Sequence, residues 1–526
     1  MIRALLAALV ALPLTSQTPL PSQTPAPPAP QVPANPTFTQ HVAPIVFHNC
    51  ATCHRPGEVA PFPLLSFADV QKRGKMITRV VEAGFMPPWH PEPGFGEFRN
   101  CLRLSQAEVD TIGTWVRQGM PEGPADALPP VPKFDSDWHL GPPDLVVEMK
   151  DGFDVPASGR DIYRNFVVPV GAAEDHWIAA IDLRPSARAV LHHVLVFLDD
   201  SGEAQQLDGK DGRPGFAGMV LRRAQPIGGW AAGGRAEQLP DGLGIKLPKG
   251  NDLVLQSHFH PSGKKATEKT VIGLYFTKVP PVRTIVPIQL PPFFGVAAGI
   301  DIKPGDKNWL LQDSFTLPCA VEAVTVGGHA HMLGKTMRLV AKLPDGRQEP
   351  LLLIRNWDFD WQNRYTYQGF PRLPTGSVLH AEITYDNSSD NPNNPNRPPK
   401  EVRWGRESTD EMGSITLMVV AGDEQELATL QAALRAKIVS SAGKGAESVL
   451  EQRFRQMDKN GDGKVTRDEV PARMRRMFEM LDKNGDGALD MDEIKGLLGN
   501  LGGIGDDPAP SKPKGKSGDG KGNDGK

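Results

Sequence analysis

The chain has 526 residues, which at roughly 150 per domain leaves room for three or four domains. Lys and Arg total 58 against 62 Asp and Glu, a formal charge of −4. That balance argues against nucleic acid or an anionic membrane as a main partner, because both select strongly basic faces. Hydrophobic residues at 39 % suffice for real cores, while Gly 54 and Pro 51 imply turn-rich β domains and extended segments. Four cysteines are too few for a disulfide scaffold.

In chain order, residues 1–16 read as an export signal: Arg3, the apolar run Ala4 to Leu14, then Thr15 and Ser16. The run is too short to span a bilayer. An uncleaved anchor is the alternative, since no A-x-A cleavage site follows. No other stretch reaches about 18 apolar residues, so the mature chain is expected to lack a transmembrane segment. The implied location is periplasmic or extracellular, in a bacterium. Residues 17–37 form a Pro-rich linker, and 502–526 a Gly, Lys and Asp tail expected to be disordered.

Cys50-Ala51-Thr52-Cys53-His54 is C-x-x-C-H, a c-type haem attachment signature. On a helix these three positions share one face, so both thiols reach the haem vinyls while the imidazole meets the iron. A redox C-x-x-C or half a zinc site needs no final histidine, and no second Cys pair exists to complete a zinc cluster. Ser66 is expected to cap a helix running to about Ala83 and stopping at Gly84. Ser105 and Glu108 form a capping box for another, with Val109, Ile112, Trp115 and Val116 on one side. Residues 38–123 resemble a small all-α class I cytochrome c. The resemblance implies Met86 as the second iron ligand, with Met76 and His90 as rivals; Met–His ligation favours electron transfer.

Beyond Pro130, short Val, Ile, Leu and Phe runs broken by Gly and Pro read as strands of antiparallel sandwiches, among them 189–198, 252–260 and 336–343. Six of the 13 histidines fall there in three groups: His192-His193, His258-Phe259-His260 and His329-Ala330-His331. On a strand, i and i+2 share a face, so each H-x-H is a bidentate clamp. Adjacent His192 and His193 need a bulge to serve one ion. Imidazole suits zinc, copper, iron or nickel, and a thioether partner tips the choice towards copper.

The segments LHHVLVF, LVLQSHFHPSGK, VGGHAHMLGKTMRL and STDEMGSITL, in this order, resemble the copper type II monooxygenases, over about residues 140–425. The resemblance implies two antiparallel, jelly-roll-like β-sandwich domains, 140–300 and 301–425, each holding one copper across a solvent-filled gap. His192, His193 and His258 would hold the electron-storing copper. His329, His331 and Met412 would hold the copper where oxygen binds and substrate is hydroxylated. His260 is additional and expected to be a solvated neighbour. Animal relatives carry several disulfides; here only Cys101 and Cys319 remain as a possible pair.

Residues 446–500 hold two copies of the calcium loop D-x-[DN]-x-[DN]-G-x5-E, the second starting 24 residues after the first. Asp458, Asn460, Asp462, the Lys464 carbonyl, Thr466 and Glu469 would bind one calcium; Asp482, Asn484, Asp486, the Ala488 carbonyl, Asp490 and Glu493 would bind the other. Gly463 and Gly487 allow the sharp turn, and Val465 and Leu489 are expected to pair the two helical EF-hands through a short β contact.

Taken together, the motifs lead to a secreted multidomain copper monooxygenase with one haem c, two copper and two calcium ions. Its partners would be O2, a small organic substrate and an electron donor, either an ascorbate-like reductant or a redox protein, with electrons entering through the tethered haem. The alternative is a non-enzymatic multi-metal electron-transfer, copper-binding or redox-sensing protein.

Overall fold

Serine caps start two of the three N-terminal helices. In the computed structural model, Ser66 Oγ accepts the Asp69 N–H and starts the helix Phe67–Glu82, which ends before Gly84 at φ +67°. Ser105 and Glu108 exchange both bonds of a capping box at the head of the helix Gln106–Arg117. A third helix, Phe38–Asn49, begins with one wide π-type turn. The three enclose Phe38, Val46, Val70, Ile77, Ile112 and Trp115. Described are residues 32–56, 58, 60–134, 138, 140–217, 225–231, 234, 236–278, 283–458, 460, 462–470, 478, 482 and 486–490. The export signal, most of the Pro-rich linker and the C-terminal tail lie outside them.

The middle of the chain is β, as the broken apolar runs predict. Two four-stranded sheets each pack against one half of a long nine-stranded sheet. The first holds Ile162–Val168, Asp252–Phe259, Leu191–Asp199 and Gln225–Ala231 in that order; the second holds Trp309–Thr316, Val378–Tyr385, Gly334–Lys342 and Gln348–Ile354. Val378–Tyr385 alternates half-buried and buried residues, the period-two pattern of a strand with one face on a core. Separate cores fill the two sandwiches, one around Phe166, Val194 and Leu255, the other around Ile288, Leu339 and Ile383.

Two features differ from expectation. The sandwiches share the nine-stranded sheet, joined where Arg283 and Thr284 pair in parallel with Leu243 and Gly244. The division also falls before residue 300, because the strand Arg283–Leu290 pairs with Gly413–Ala421 and packs Val286, Ile288 and Leu290 into the second core.

The helical region docks on both sandwiches. Glu58 pairs with Arg188 at 2.6 Å and Arg184 at 3.8 Å in the first. Pro91 and Phe98 bridge to Ile354 and Tyr367 in the second, where the Trp89 ring lies 5.1 Å from that of Tyr365. At the other end, Asp423 caps the helix Glu424–Met457, which packs Leu427, Leu430 and Leu434 on the second core and runs straight into Asp458. At 1.5 Å per residue it is about 50 Å long. Among the described residues no helix is long and apolar enough to cross a membrane.

Candidate metal centre

The first histidine group is built by the bulge that adjacent histidines require. Leu191 and His193 pair with consecutive residues Phe259 and His258, leaving His192 as the extra residue of a β-bulge. The bulge turns both rings one way: their Nδ1 atoms are 3.0 Å apart, and one nitrogen each from His192, His193 and His258 lie within 4.8 Å of one another. Tyr163 stacks on His258 at 4.1 Å and covers it.

His258 and His260 do not clamp one ion. Both turn to Asp161: His258 Nε2 lies 3.0 Å from one carboxylate oxygen and His260 Nδ1 2.8 Å from the other. His260 is exposed, the solvated neighbour the sequence predicts, whereas His258 is 1 % exposed and presents Nδ1 to the group. Asp161 also accepts from the Ser408 N–H and hydroxyl, which belong to the loop leading to Met412.

The second group sits where Val321–Ala330 leaves its partner Gly413–Ala421. His329 pairs with Ser414 and Ala330 with Gly413, so one step further the register sets His331 opposite Met412, which is 2 % exposed. His329 Nδ1 is 2.6 Å from Gln362 Oε1, and His331 Nδ1 donates to the Asp410 carbonyl at 3.1 Å. Glu411, fully buried, accepts the backbone N–H groups of His331, Leu333 and Met412 and so folds this corner. Burial pushes its carboxyl up to about 8, against the pull of those three bonds. Sequence reasoning passed over Asp161 and Glu411; a lone acid carries no motif, and only the fold shows what it touches.

The expected gap between the groups is closed. The His193 and His329 rings are 5.8 Å apart, and five imidazoles form one cluster across both sandwiches. Two links draw them together: the Asp161–Ser408 bonds, and Phe359 of the second sandwich, stacked on His192 at 4.2 Å and edge-on to His331 at 5.8 Å. Three buried nitrogens of the cluster, His192 Nε2, His258 Nδ1 and His331 Nε2, have no hydrogen-bond partner. Burial and the neighbouring rings lower His192 to about 3, and burial lowers His329 to about 4; His193 and His331 lie well below the ordinary value for the same reasons. His192, His193, His329 and His331 are therefore neutral at neutral pH, the form that ligates a metal.

Cys50, Cys53 and His54 share one helical turn, with the Cys53 and His54 N–H groups on the Cys50 carbonyl at 3.2 and 2.9 Å. His54 Nδ1 is bonded to the Phe62 carbonyl at 3.1 Å. Burial, with Cys53 beside it, pushes the Cys50 thiol up to about 12. Met86 is half-buried just after Gly84, Met76 is exposed on its helix, and His90 lies in the seam with the second sandwich with Nε2 buried and partnerless. Cys101 is exposed and Cys319 is buried beneath the helix Glu424–Met457, donating to the Glu426 carbonyl; both are free thiols, so the possible pair is not formed.

In the calcium loops, Gly463 and Gly487 adopt φ +81° and +79°, and their N–H groups donate to Asp458 and Asp482. Val465 pairs with Leu489, and Thr466 with Ala488, as the motif predicts. Glu469 accepts from Thr466, and Asp462 and Asp486 accept from Lys464 N–H and Ala488 N–H. Asn460 donates to Asp462, and Asp490 follows the second short strand; Asn484 and Glu493 lie outside the described residues.

Comparison with known proteins agrees at this end of the chain. The EF-hand family matches residues 450–470, and an EF-hand domain family matches 473–502, so the C-terminal part carries EF-hand motifs suited to calcium. No curated protein matches the chain. Similar solved structures include a recombinant N-glycanase F (PNGase F), 11 % identical over 53 % of this chain and 96 % of that one, with a TM-score of 0.24. PNGase F, a glycosylasparaginase from Flavobacterium meningosepticum, is 13 % identical over 53 % and 96 %, TM-score 0.22. The major capsid protein P2 of bacteriophage PM2 is 9 % identical over 50 % and 97 %, TM-score 0.21. At such TM-scores these likenesses say nothing about the chemistry of this chain.

Proposed function

We propose that this chain is an exported copper-dependent monooxygenase that hydroxylates a C–H bond of an organic substrate with O2, electrons entering through a c-type haem on residues 38–123. One observation carries the reading: His258 Nδ1 and His331 Nε2 are buried without a hydrogen-bond partner in one five-histidine cluster, and His192 Nε2 beside them has only the Asp360 carboxylate at 3.9 Å. Leaving such atoms unpaired costs free energy that a bound cation recovers, and the thioether of Met412 makes copper the metal of choice.

Each residue then has a task. His192, His193 and His258 hold one ion, with Asp161 fixing the His258 ring; His329, His331 and Met412 hold the other, with Gln362 and the Asp410 carbonyl fixing the two imidazoles. Such outer contacts set ring tautomer and aim. Copper supplies one-electron redox and oxygen activation when bound. Phe359 packs on His192 and Phe294 on His329, restricting how each ring can turn. Cys50 and Cys53 would attach the haem, His54 and Met86 would bind its iron, and the group would supply one-electron transfer. Glu58, four residues past His54, docks this turn on Arg188, four residues before His192, which brings the electron inlet to the first histidine group. The overall balance is one substrate C–H, one O2, two electrons and two protons giving an alcohol and water. The donor is an ascorbate-like reductant or a redox protein, and the two calcium ions clamp the C-terminal lobe.

Metal analysis of periplasmically expressed protein is expected to give one haem, two copper and two calcium per chain. Met412→Ile is expected to cut substrate-dependent O2 uptake at least a hundredfold and leave haem reduction intact. Less than one copper per chain after reconstitution refutes the proposal. The 5.8 Å spacing of His193 and His329 favours a second reading, a non-enzymatic electron-transfer, copper-binding or redox-sensing centre. Full copper loading with no O2 uptake under any donor supports that one.

A further inference from the structure

The two sandwiches enclose a cleft of about 1930 Å³ with His193 and His329 in its wall. Its charge is one-sided although the chain is not. Arg55, Lys133, Arg364, Arg406, Arg435 and Lys437 line it, against Glu237 as the one carboxylate among the described lining residues. Lys437 is taken by Asp313, and Arg55 by Glu58.

Arg364 differs from the others in position. It pairs with Gly327, and Gln362, two residues earlier on the same face, holds His329, two residues after Gly327. Directly opposed residues of an antiparallel pair point to one side, so Arg364 shares the face of His329 at about 7 Å along the strand. Gly327 makes room for it: a Cβ there would lie 2.9 Å from Arg364 Cγ. The side chain then crosses the cleft, since a Cβ on Gly228 of the first sandwich would lie 3.8 Å from its Nη2. The guanidinium is surrounded by protein, which lowers its pKa, yet the residue keeps solvent-accessible surface inside the cleft. Among the described residues it has no hydrogen bond, salt bridge within 4 Å or aromatic partner; the Glu237 carboxylate acts on it through its field alone, opposing the effect of burial. The nearby Glu237 instead accepts from Asn100 and Thr366.

The walls beside this cation are apolar. Trp230, Trp404, Phe293 and Phe294 line the cleft, with the Phe294 ring 4.8 Å from His329. Phe293 and Phe294 hold φ of 50° and 55°, a left-handed conformation costly for bulky residues. It leaves Phe293 exposed on the cleft side, where an apolar ligand would cover it.

We propose that the cleft binds an amphipathic organic anion, its carboxylate on Arg364 and its apolar body against Phe293, Phe294 and Trp230, with a C–H group beside His329. A planar guanidinium takes a carboxylate through two parallel hydrogen bonds, so a free one in a confined space selects that head group over an alcohol or an amine. This names the substrate class of the oxidation proposed above, but the binding itself needs no metal.

The test uses metal-free full-length protein with octanoate and octan-1-ol, followed by calorimetry and by the fluorescence of cleft tryptophans. Octanoate is expected to bind more tightly than octanol. Arg364→Met is expected to weaken octanoate at least tenfold while octanol changes less than twofold. Equal loss of both ligands, or no loss of octanoate, overturns the proposal. Should the variant fail to fold, wild-type protein is treated with phenylglyoxal. Octanoate but not octanol is expected to protect Arg364 in peptide mass spectra, and unchanged modification overturns the assignment. Oxygen uptake by the copper-loaded chain is measured separately, so failure of oxidation and failure of anion binding give different results.

Discussion

Asp161→Asn is the substitution that probes the metal centre most directly without touching a ligand. Asp161 accepts from His258 at 3.0 Å, from His260 at 2.8 Å and from the Ser408 N–H at 3.2 Å, and is 6 % exposed. Burial pushes this carboxyl up, but the bonds from His258, Ser408 and His260 outweigh it and hold it far below the ordinary carboxylate value. A fixed anion at Nε2 keeps the proton there and leaves the His258 Nδ1 lone pair pointing into the cluster. An amide can offer Nε2 a donor instead, which moves the ring proton to Nδ1 and closes the ligand site. Losing an outer partner of this kind typically costs 10–100-fold in metal affinity, or about 1.4–2.8 kcal/mol. The assay is a Cu(I) competition titration against a chromophoric chelator, in a Met412→Ile background so that only the first group reads out. Asp161→Asn is expected to weaken that site at least tenfold. Ser408→Ala, which removes a bond to the other sandwich, is expected to change it less than threefold. An Asp161→Asn affinity within threefold of its parent refutes the assignment of Asp161 as the residue that aims His258.

Two further outcomes follow from burial and from the calcium loops. In the metal-free chain the folded-state values of His192 (about 3) and His329 (about 4) lie below the ordinary 6.5, so the unfolded chain binds more protons and stability falls as pH drops below 6.5. Between pH 6.5 and 5 each of these histidines is expected to cost about 1.6 kcal/mol, read as a falling melting temperature; an unchanged melting temperature over that interval contradicts the burial of His192 and His329 in neutral form. Glu469→Gln removes the bidentate oxygen pair of the first loop, and calorimetry is expected to count one calcium per chain against two expected for the parent.

How much of this was legible beforehand depended on the range over which each signal acts. The helix starts at Ser66 and Ser105 come from interactions within a few residues; the bulge at His192 and the Val465–Leu489 contact join distant strands, but the adjacent histidines and the repeated calcium-loop motif marked where they fall. The Asn-rich segment 386–399 is a loop that leads towards Trp404 in the cleft wall. In the aromatic stretch Trp357 to Tyr367, Phe359 covers His192 and Gln362 holds His329. What stayed hidden was set across more than a hundred residues or by absence. Asp161 meets Ser408 247 positions away, the sandwiches share a sheet through a two-residue contact, and Gly327 matters because it lacks a side chain. No local periodicity encodes such facts.

The shared sheet explains why the two histidine groups touch instead of facing each other across solvent. His329 lies on one strand of the nine-stranded sheet and Met412 directly precedes its neighbour, whereas His192, His193 and His258 ride on the four-stranded sheet packed over the other half. The His193 and His329 rings meet at 5.8 Å where the two sandwiches adjoin. Among the described residues the two halves of the sheet are joined by the short parallel contact of Arg283 and Thr284 with Leu243 and Gly244, and opening a gap between the groups would bend the sheet there. Elsewhere the second half is held by long antiparallel ladders: Arg283–Leu290 and Val321–Ala330 both pair with Gly413–Ala421. Relative motion of the sandwiches would therefore break the Asp161–Ser408 and His192–Phe359 contacts first and leave each ligand group intact. The spacing of the two groups is thus governed by side chains that bind no metal, and a substitution at Asp161 or Phe359 acts on both centres at once.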